Sequence, residues 1–288
     1  MSYEMTKMHA DDFPSSLLEL PQPPKELYIV GKLPPQSYVY LTIVGSRKYT
    51  SYGKDACEML IEGLRGQPVV IVSGLALGMD TIVHECALRV GLKCVAFPGS
   101  GLHHDTIYPR ANLGLAKRIV DAGGALVSEL KPDQKAALWT FPQRNRLMAG
   151  LAKATLIIEA EEESGTLITS RLATEYNRDV CAVPGSIFSP TTKGTHMLIR
   201  LGATPITCVN DLLEVLGLNP KTNDEDLESK MRDCSSEEIR VLELLREPMV
   251  RDDLIRTLEI PISEANSLLT VMEIKGLIKE ELGEMRRS

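Results

Sequence analysis

Three observations predict an α/β chain built on a mostly parallel sheet. Short apolar, β-branched runs recur along the first 217 residues. Helical patterns of 8 to 15 residues alternate with them. The runs are continuously apolar, as strands covered by helices on both faces must be. A Rossmann-like, doubly wound domain over 38–217 is therefore expected, followed by a small C-terminal winged-helix domain.

Residues 1–37 are rich in proline and polar groups, and read as an irregular leader with one short strand, ELYIVG. The sheet strands are YVYLTIV (38–44), VVIV (69–72), KCVAF (93–97), ALVS (125–128), ATLIIEA (154–160) and DVCAV (179–183). The helices between them are SYGKDACEMLIEGL, GMDTIVHECALRVG, PRANLGLAKRIVDAG, RNRLMAGL and TLITSRLATEYN. Residues 218–234 are polar and charged, a linker by composition. In 235–288, SSEEIRVLELL opens with a capping box. Two further helical segments and a hairpin, GLIKEEL with EMRRS, complete a winged helix-turn-helix pattern.

Composition narrows the function classes. No stretch approaches the ~20 apolar residues of a membrane span, and MSYEMTKMHADDFP has no apolar core of a signal peptide. The six cysteines are scattered with no C-x-x-C pair. That argues against a zinc or disulfide framework and for a reducing cytoplasm. Net charge is −7, but residues 219–288 hold 11 basic and 17 acidic residues, leaving −1 for the rest. An anion-binding surface is expected in the first part, made from local clusters.

In an open α/β sheet, ligands sit beyond the carboxyl ends of the strands. The first exit, GSRKYTSYG, offers Gly45 for a tight turn, helix-start N–H groups and the forked cation of Arg47. It lacks G-x-G-x-x-G, so a dinucleotide site and a nicotinamide-dependent oxidoreductase are poorly supported, and no cofactor is expected. The second exit places Asp80 and His84 one helical turn apart. They are either a catalytic pair or a capping or helix-stabilising pair beneath a glycine-rich loop, and no spaced nucleophile favours the first. The third exit carries Gly99, Gly101, Tyr108 and Arg110. Its His103 and His104 lack partners and read as loop residues, so no metal is expected. The fourth ends in Phe141-Pro142-Gln143-Arg144-Asn145-Arg146. An aromatic beside clustered arginines suits single-stranded nucleic acid, with the ring stacking on bases and the cations meeting phosphates. The fifth opens a helix with Gly165 and Thr166 behind a solvated Glu161-Glu162-Glu163 run. The sixth again offers glycines with Lys193. Together they describe one long anion-binding rim.

VGSR (44–47), SGLALGMDTIVH (73–84), GSGLHHDTIYPRAN (99–112), FPQRNRLMAGL (141–151), ESGTLITSRLATE (163–175) and VPGS…GTHMLI (183–199) resemble, in order, the motifs of the DNA-processing protein A family (DprA, also called Smf). Residues 13–34 resemble its lead-in. The resemblance implies a non-enzymatic recombination mediator that binds single-stranded DNA, dimerises and helps load RecA onto strands covered by single-strand-binding protein, for transformation or repair. It carries the family's anion pocket to Gly45, Ser46 and Arg47, to Gly101 and Arg110, to Phe141, Arg144, Asn145 and Arg146, and to Gly165 and Thr166. Arg144 and Arg146 would clamp phosphates or brace the pocket while Phe141 stacks. Position 110 is often Lys in the family, and Arg keeps the charge. Many members begin with a sterile-alpha-motif-like domain, for which this chain starts too close to the core. The expected recognition helix, about 262–275, offers Glu264 and Glu273 with Lys275 as its only base, so the C-terminal domain is expected to bind DNA poorly and to serve protein contacts. The apolar 196–217 segment is the expected dimer surface.

The alternative is a nucleoside-monophosphate phosphoribohydrolase of the lysine-decarboxylase-like type. Those enzymes resemble this chain in a Gly-Gly-x-Gly-Thr helix opening followed by a catalytic Glu. Here Ser164 replaces a glycine, and Thr169 or Ser170 stands near the expected acid.

Overall fold

The computed structural model describes residues 4–219, 234–245, 249–281 and 283–287. It divides into two compact units, 1–220 and 221–288. The linker expected at 218–234 lies almost wholly outside the described residues.

The first unit is a three-layer α/β/α sandwich. Its strands are β1 (Met5–His9), β2 (Glu26–Gly31), β3 (Val39–Val44), β4 (Val69–Ser73), β5 (Lys93–Ala96), β6 (Ala125–Ser128), β7 (Ala154–Ile157), β8 (Asp179–Ala182) and β9 (Thr204–Pro205). The sheet order is β1-β2-β6-β5-β4-β3-β7-β8-β9. All pairs from β6 through β9 are parallel, with Leu41 opposite Ile71 on one side and Ala154 on the other. The helices are α1 (Ser15–Leu18), α2 (Ser51–Gly63), α3 (Met79–Arg89), α4 (Leu113–Asp121), α5 (Thr140–Leu151), α6 (Thr166–Glu175), α7 (Lys193–Arg200) and α8 (Val209–Leu216).

The alternation of side chains along each strand sorts the core into two halves. Leu41, Ile43 and Ile71 face Leu60, Val83 and Leu213 of α2, α3 and α8. Tyr40, Val44, Val70 and Val72 face the layer that contains Leu17, Leu147 and Met148 of α1 and α5. All five residues of β4 are buried, which is why its first four, VVIV, are apolar. The chain proceeds from β3 to β4 on one side and reaches β7 on the other only after β6. The strand order therefore reverses at β3–β7, leaving a crevice at their carboxyl ends.

Residues 1–37 are more regular than the sequence indicates. β1 and β2 join the sheet by antiparallel pairing, β2 onto β6. MTKMH carries little β-branched or apolar signal because β1 is an edge strand with no residue fully buried. Its conformation comes from pairing, reinforced by a 2.5 Å ion pair between Lys7 and Glu26. The helix expected from Arg144 begins at Thr140 instead. Pro142 falls in its first turn, where N–H groups have no intrahelical partner and proline costs little.

The second unit contains α9 (Ser236–Leu244), β10 (Met249–Val250), α10 (Arg251–Leu258), α11 (Ile262–Ile274), β11 (Ile278–Glu281) and β12 (Glu284–Arg287). The capping box forms: Ser235 Oγ accepts the Glu238 N–H at 3.3 Å, and Glu238 accepts the Ser235 N–H at 2.8 Å. Val241, Leu254, Leu269, Met272 and Met285 make its core. The three strands pair in the order β10-β12-β11, giving the helices a small sheet to pack on. This is the winged-helix arrangement.

Candidate nucleic-acid interface

A cleft of about 700 Å³ opens at the β3–β7 crevice. β3 delivers Gly45, Ser46 and Arg47 to it, α5 delivers Phe141, Arg144 and Asn145, and the start of α6 delivers Gly165 and Thr166. The Arg47 guanidinium lies 5.7 Å from the Phe141 ring centroid, within cation–π range. Tyr108 stands at 6.1 Å from the same ring, tilted by 58°. A cation and an aromatic face thus share one open surface.

The loops hold this geometry through backbone contacts. Ser46 O accepts the Met79 N–H at 3.2 Å, and Ser46 Oγ accepts the Lys48 N–H at 3.0 Å. Gly78 has φ +90°, and a Cβ there would come within 2.5 Å of the Arg47 backbone, so glycine alone permits this approach. Thr166 Oγ1 donates to Gly45 O at 3.2 Å, tying α6 to the β3 exit. Gly165 precedes α6, whose first-turn N–H groups are already taken within the turn: Ser164 Oγ accepts the Thr166 N–H at 3.2 Å, Ser164 O the Leu167 N–H at 3.0 Å and Gly165 O the Ile168 N–H at 3.2 Å.

Behind the cleft, Arg144 is turned inward. Its Nη1 donates to the carbonyls of Gly74 and Phe97, which follow β4 and β5. Its Nε donates to Asn145 Oδ1 at 2.9 Å. Burial pulls its pKa down while the charge of Asp80 works against that shift. Burial raises the Asp80 carboxyl, opposed by Arg144 and by the Ala76 N–H it accepts at 3.2 Å. Arg144 therefore braces two strand tips.

Arg146 does not line the cleft. It forms a 2.5 Å ion pair with Glu129 and donates to Gln22 O at 2.7 Å. Both side chains of the pair are largely buried. Gly101 and Arg110 are also outside the cleft. Gly101 allows backbone contact with the 131–134 loop, since a Cβ would meet Lys131 O at 2.1 Å. Arg110 Nη1 donates to His104 O. The continuous rim expected from six strand exits thus contracts to a cleft served by β3, β4, β7 and the start of α5. The loop after β8 is not part of it, and Lys193 there lies 3.9 Å from Glu162.

Asp80 and His84 do not pair with each other, and only a capping role for Asp80 is seen. His84 is fully buried, and neither ring nitrogen has a hydrogen-bond partner. Burial drives its pKa down to about 3, with a weak approach of the Ser73 backbone working against the shift. It is a neutral core residue at neutral pH. Asp80 caps the loop through Ala76.

One residue escaped the sequence reading. Glu159, 1% exposed, accepts the Thr50 N–H at 2.9 Å, the Thr50 hydroxyl at 2.7 Å and the Thr191 hydroxyl at 2.7 Å. It fixes the start of α2 just beyond Arg47. An acid inside the apolar run ATLIIEA was its available signal, because a buried carboxylate must find donors. Among the described residues no cluster of His, Cys, Asp or Glu could hold a metal ion, and no helix is long and apolar enough to cross a membrane.

Comparison with known proteins fits this geometry. Residues 4–217 match the family model for DNA recombination-mediator protein A, and 219–284 match that for the DprA winged helix domain. The chain is 40% identical over 206 residues to DNA processing protein DprA of Streptococcus pneumoniae, covering 70% of this chain and 71% of that one. It is 38% identical over 215 residues to Protein Smf of Escherichia coli, covering 75% of this chain but only 57% of the relative. The X-ray structure of the S. pneumoniae protein superimposes with a TM-score of 0.67, over 73% of this chain and 74% of that one, at 38% identity. DNA processing protein A from Helicobacter pylori, described for its single-stranded DNA binding mode, gives a TM-score of 0.65 at 30% identity, over 74% of this chain and 96% of that one. The chain belongs to the DNA recombination-mediator protein A family.

Proposed function

We propose that this protein binds single-stranded DNA in the β3–β7 cleft and acts without catalysis, as a mediator that places RecA on the strand in transformation or repair. The observation that carries this reading is the Arg47 guanidinium set beside the Phe141 ring at the open sheet edge. Such a pair serves phosphate and base together, whatever the base. Gly45 and Gly165 line the cleft beside this pair. Arg144 and Arg146 contribute rigidity, because their donors are directed at protein carbonyls and Glu129. RecA and DNA as partners imply a cytoplasmic protein.

The nucleosidase alternative needs an acid on α6. Thr169 lines the cleft at that place, and Ser170 beside it is buried. Self-association is assigned to the 196–217 segment, where Leu201 is 76% exposed. A Leu201→Glu variant that stayed dimeric by light scattering would refute that surface.

The deciding measurement is oligo(dT) binding against salt. Affinity should fall as salt rises, and Arg47→Ala should weaken binding and reduce the log–log slope by about 0.7, the value for one phosphate contact on a single strand. A RecA strand-exchange assay on coated strands then tests loading. Salt-independent binding, or release of adenine from AMP, would overturn the reading.

A further inference from the structure

Trp139 is the chain's single tryptophan, and it is 57% exposed. Its neighbour Leu138 is 91% exposed and lines the cleft. Phe141 follows two residues later. An exposed indole and an exposed leucine side by side forgo apolar burial, which loop composition normally avoids. The loop that carries them is pinned at several points. Gln134 O accepts the Gly101 N–H at 2.7 Å, Pro132 O accepts the His103 N–H at 2.9 Å, and the Thr140 hydroxyl bonds Gly99 O at 2.6 Å. Trp139 is therefore displayed from a fixed backbone, which lowers the ordering cost of any contact it makes.

The cleft volume, about 700 Å³, is in the ~300–1,000 Å³ range of sites that enclose one small ligand. A longer strand must leave it, and charge gives the direction. Glu161 and Glu163 line the α6 side, where phosphates are repelled. The 131–139 loop exposes Lys131 and Lys135 against a single Asp133. This difference in charge favours an exit over the loop, on the side of Trp139.

We propose that Trp139 is a second base-stacking site just outside the cleft, taking a nucleobase of the strand that leaves Phe141. The inference rests on the single-stranded DNA reading above. As the only indole, Trp139 reports on this place alone. Full-length protein is titrated with oligo(dT) longer than ~16 nucleotides and with the shortest oligo(dT) that still binds. The long oligonucleotide should quench the tryptophan emission. Trp139→Ala should weaken its binding about tenfold, within the range for one stacked base, and leave the shortest unchanged. Trp139→Phe should restore most of the loss. Unaltered emission on binding, or equal affinity of Trp139→Ala for the long strand, overturns the proposal while Arg47→Ala still registers the cleft. If the wild type binds neither oligonucleotide, the parent reading fails and this one with it.

Discussion

The cleft of the first unit and the outer face of α11 in the second make an instructive pair. Both present loops and a helix to solvent, and both belong to folds that bind nucleic acid elsewhere. They differ in what their cations are doing. Arg47 forms no ion pair among the described residues, feels only the longer-range charge of Asp80, and rests over an aromatic ring. Lys275, at the end of α11, is held by Glu238 at 2.6 Å, and Arg251 beside the helix is held by Glu273 at 3.3 Å. The open face of α11 shows Ser263, Ser267, Val271 and Ile274, the last 82% exposed. Counting bases does not locate an anion site, because a base already paired offers little to a phosphate. Arg144 and Arg146 make the same point in the first unit.

The largest expected effect tests that point directly. Arg146→Ala leaves Glu129 largely buried without its cation and should cost about 3 kcal/mol of stability in denaturant unfolding. A variant of unchanged stability that loses DNA affinity would make Arg146 a free ligand-binding cation and break the contrast. The next effect is pH-dependent. Below about pH 6.5 the unfolded chain protonates His84, whereas the folded chain refuses the proton until about pH 3. Stability from this group is complete above 6.5 and falls as pH drops, by about 2 kcal/mol at pH 5. Asp80, raised by burial, works in the opposite direction and is left in place by His84→Leu. That variant should show a flatter stability profile between pH 7 and 5, and an unchanged slope would mean that His84 is charged in the fold.

Smaller effects sharpen the contrast in binding. Phe141→Ala should weaken oligo(dT) binding by about 1.5 kcal/mol, in the range for one stacked base, without a shift in unfolding midpoint. Equal affinity would remove stacking from the cleft. Least of all, a chain ending near residue 219 should retain affinity to within about threefold, ~0.6 kcal/mol. A larger loss would give the second unit a share in the strand that its paired bases do not suggest.

Much of this was legible in the sequence for a physical reason. The runs VYLTIV, VVIVS and ATLI are apolar because both faces of β3, β4 and β7 are covered, so composition alone marks them. β1 and β9 left little trace, being edges whose conformation comes from neighbours. Phe141 and Arg47 were recognisable by residue type at a strand exit. The inward turn of Arg144 was not, since its carbonyl partners lie 70 and 47 residues away in the chain. Glu129, 17 residues from Arg146, was equally invisible, and so was the removal of Arg110 from the cleft.

The β9 edge has a bearing on how copies of the chain can meet. It is two residues long and ends in Pro205, which has no N–H to offer an incoming strand. The sheet cannot be continued from this side into a neighbour's. Any pairing of molecules here has to proceed through side chains on α7 and α8, making the contact one of surface fit, tunable residue by residue, and closed to runaway strand addition.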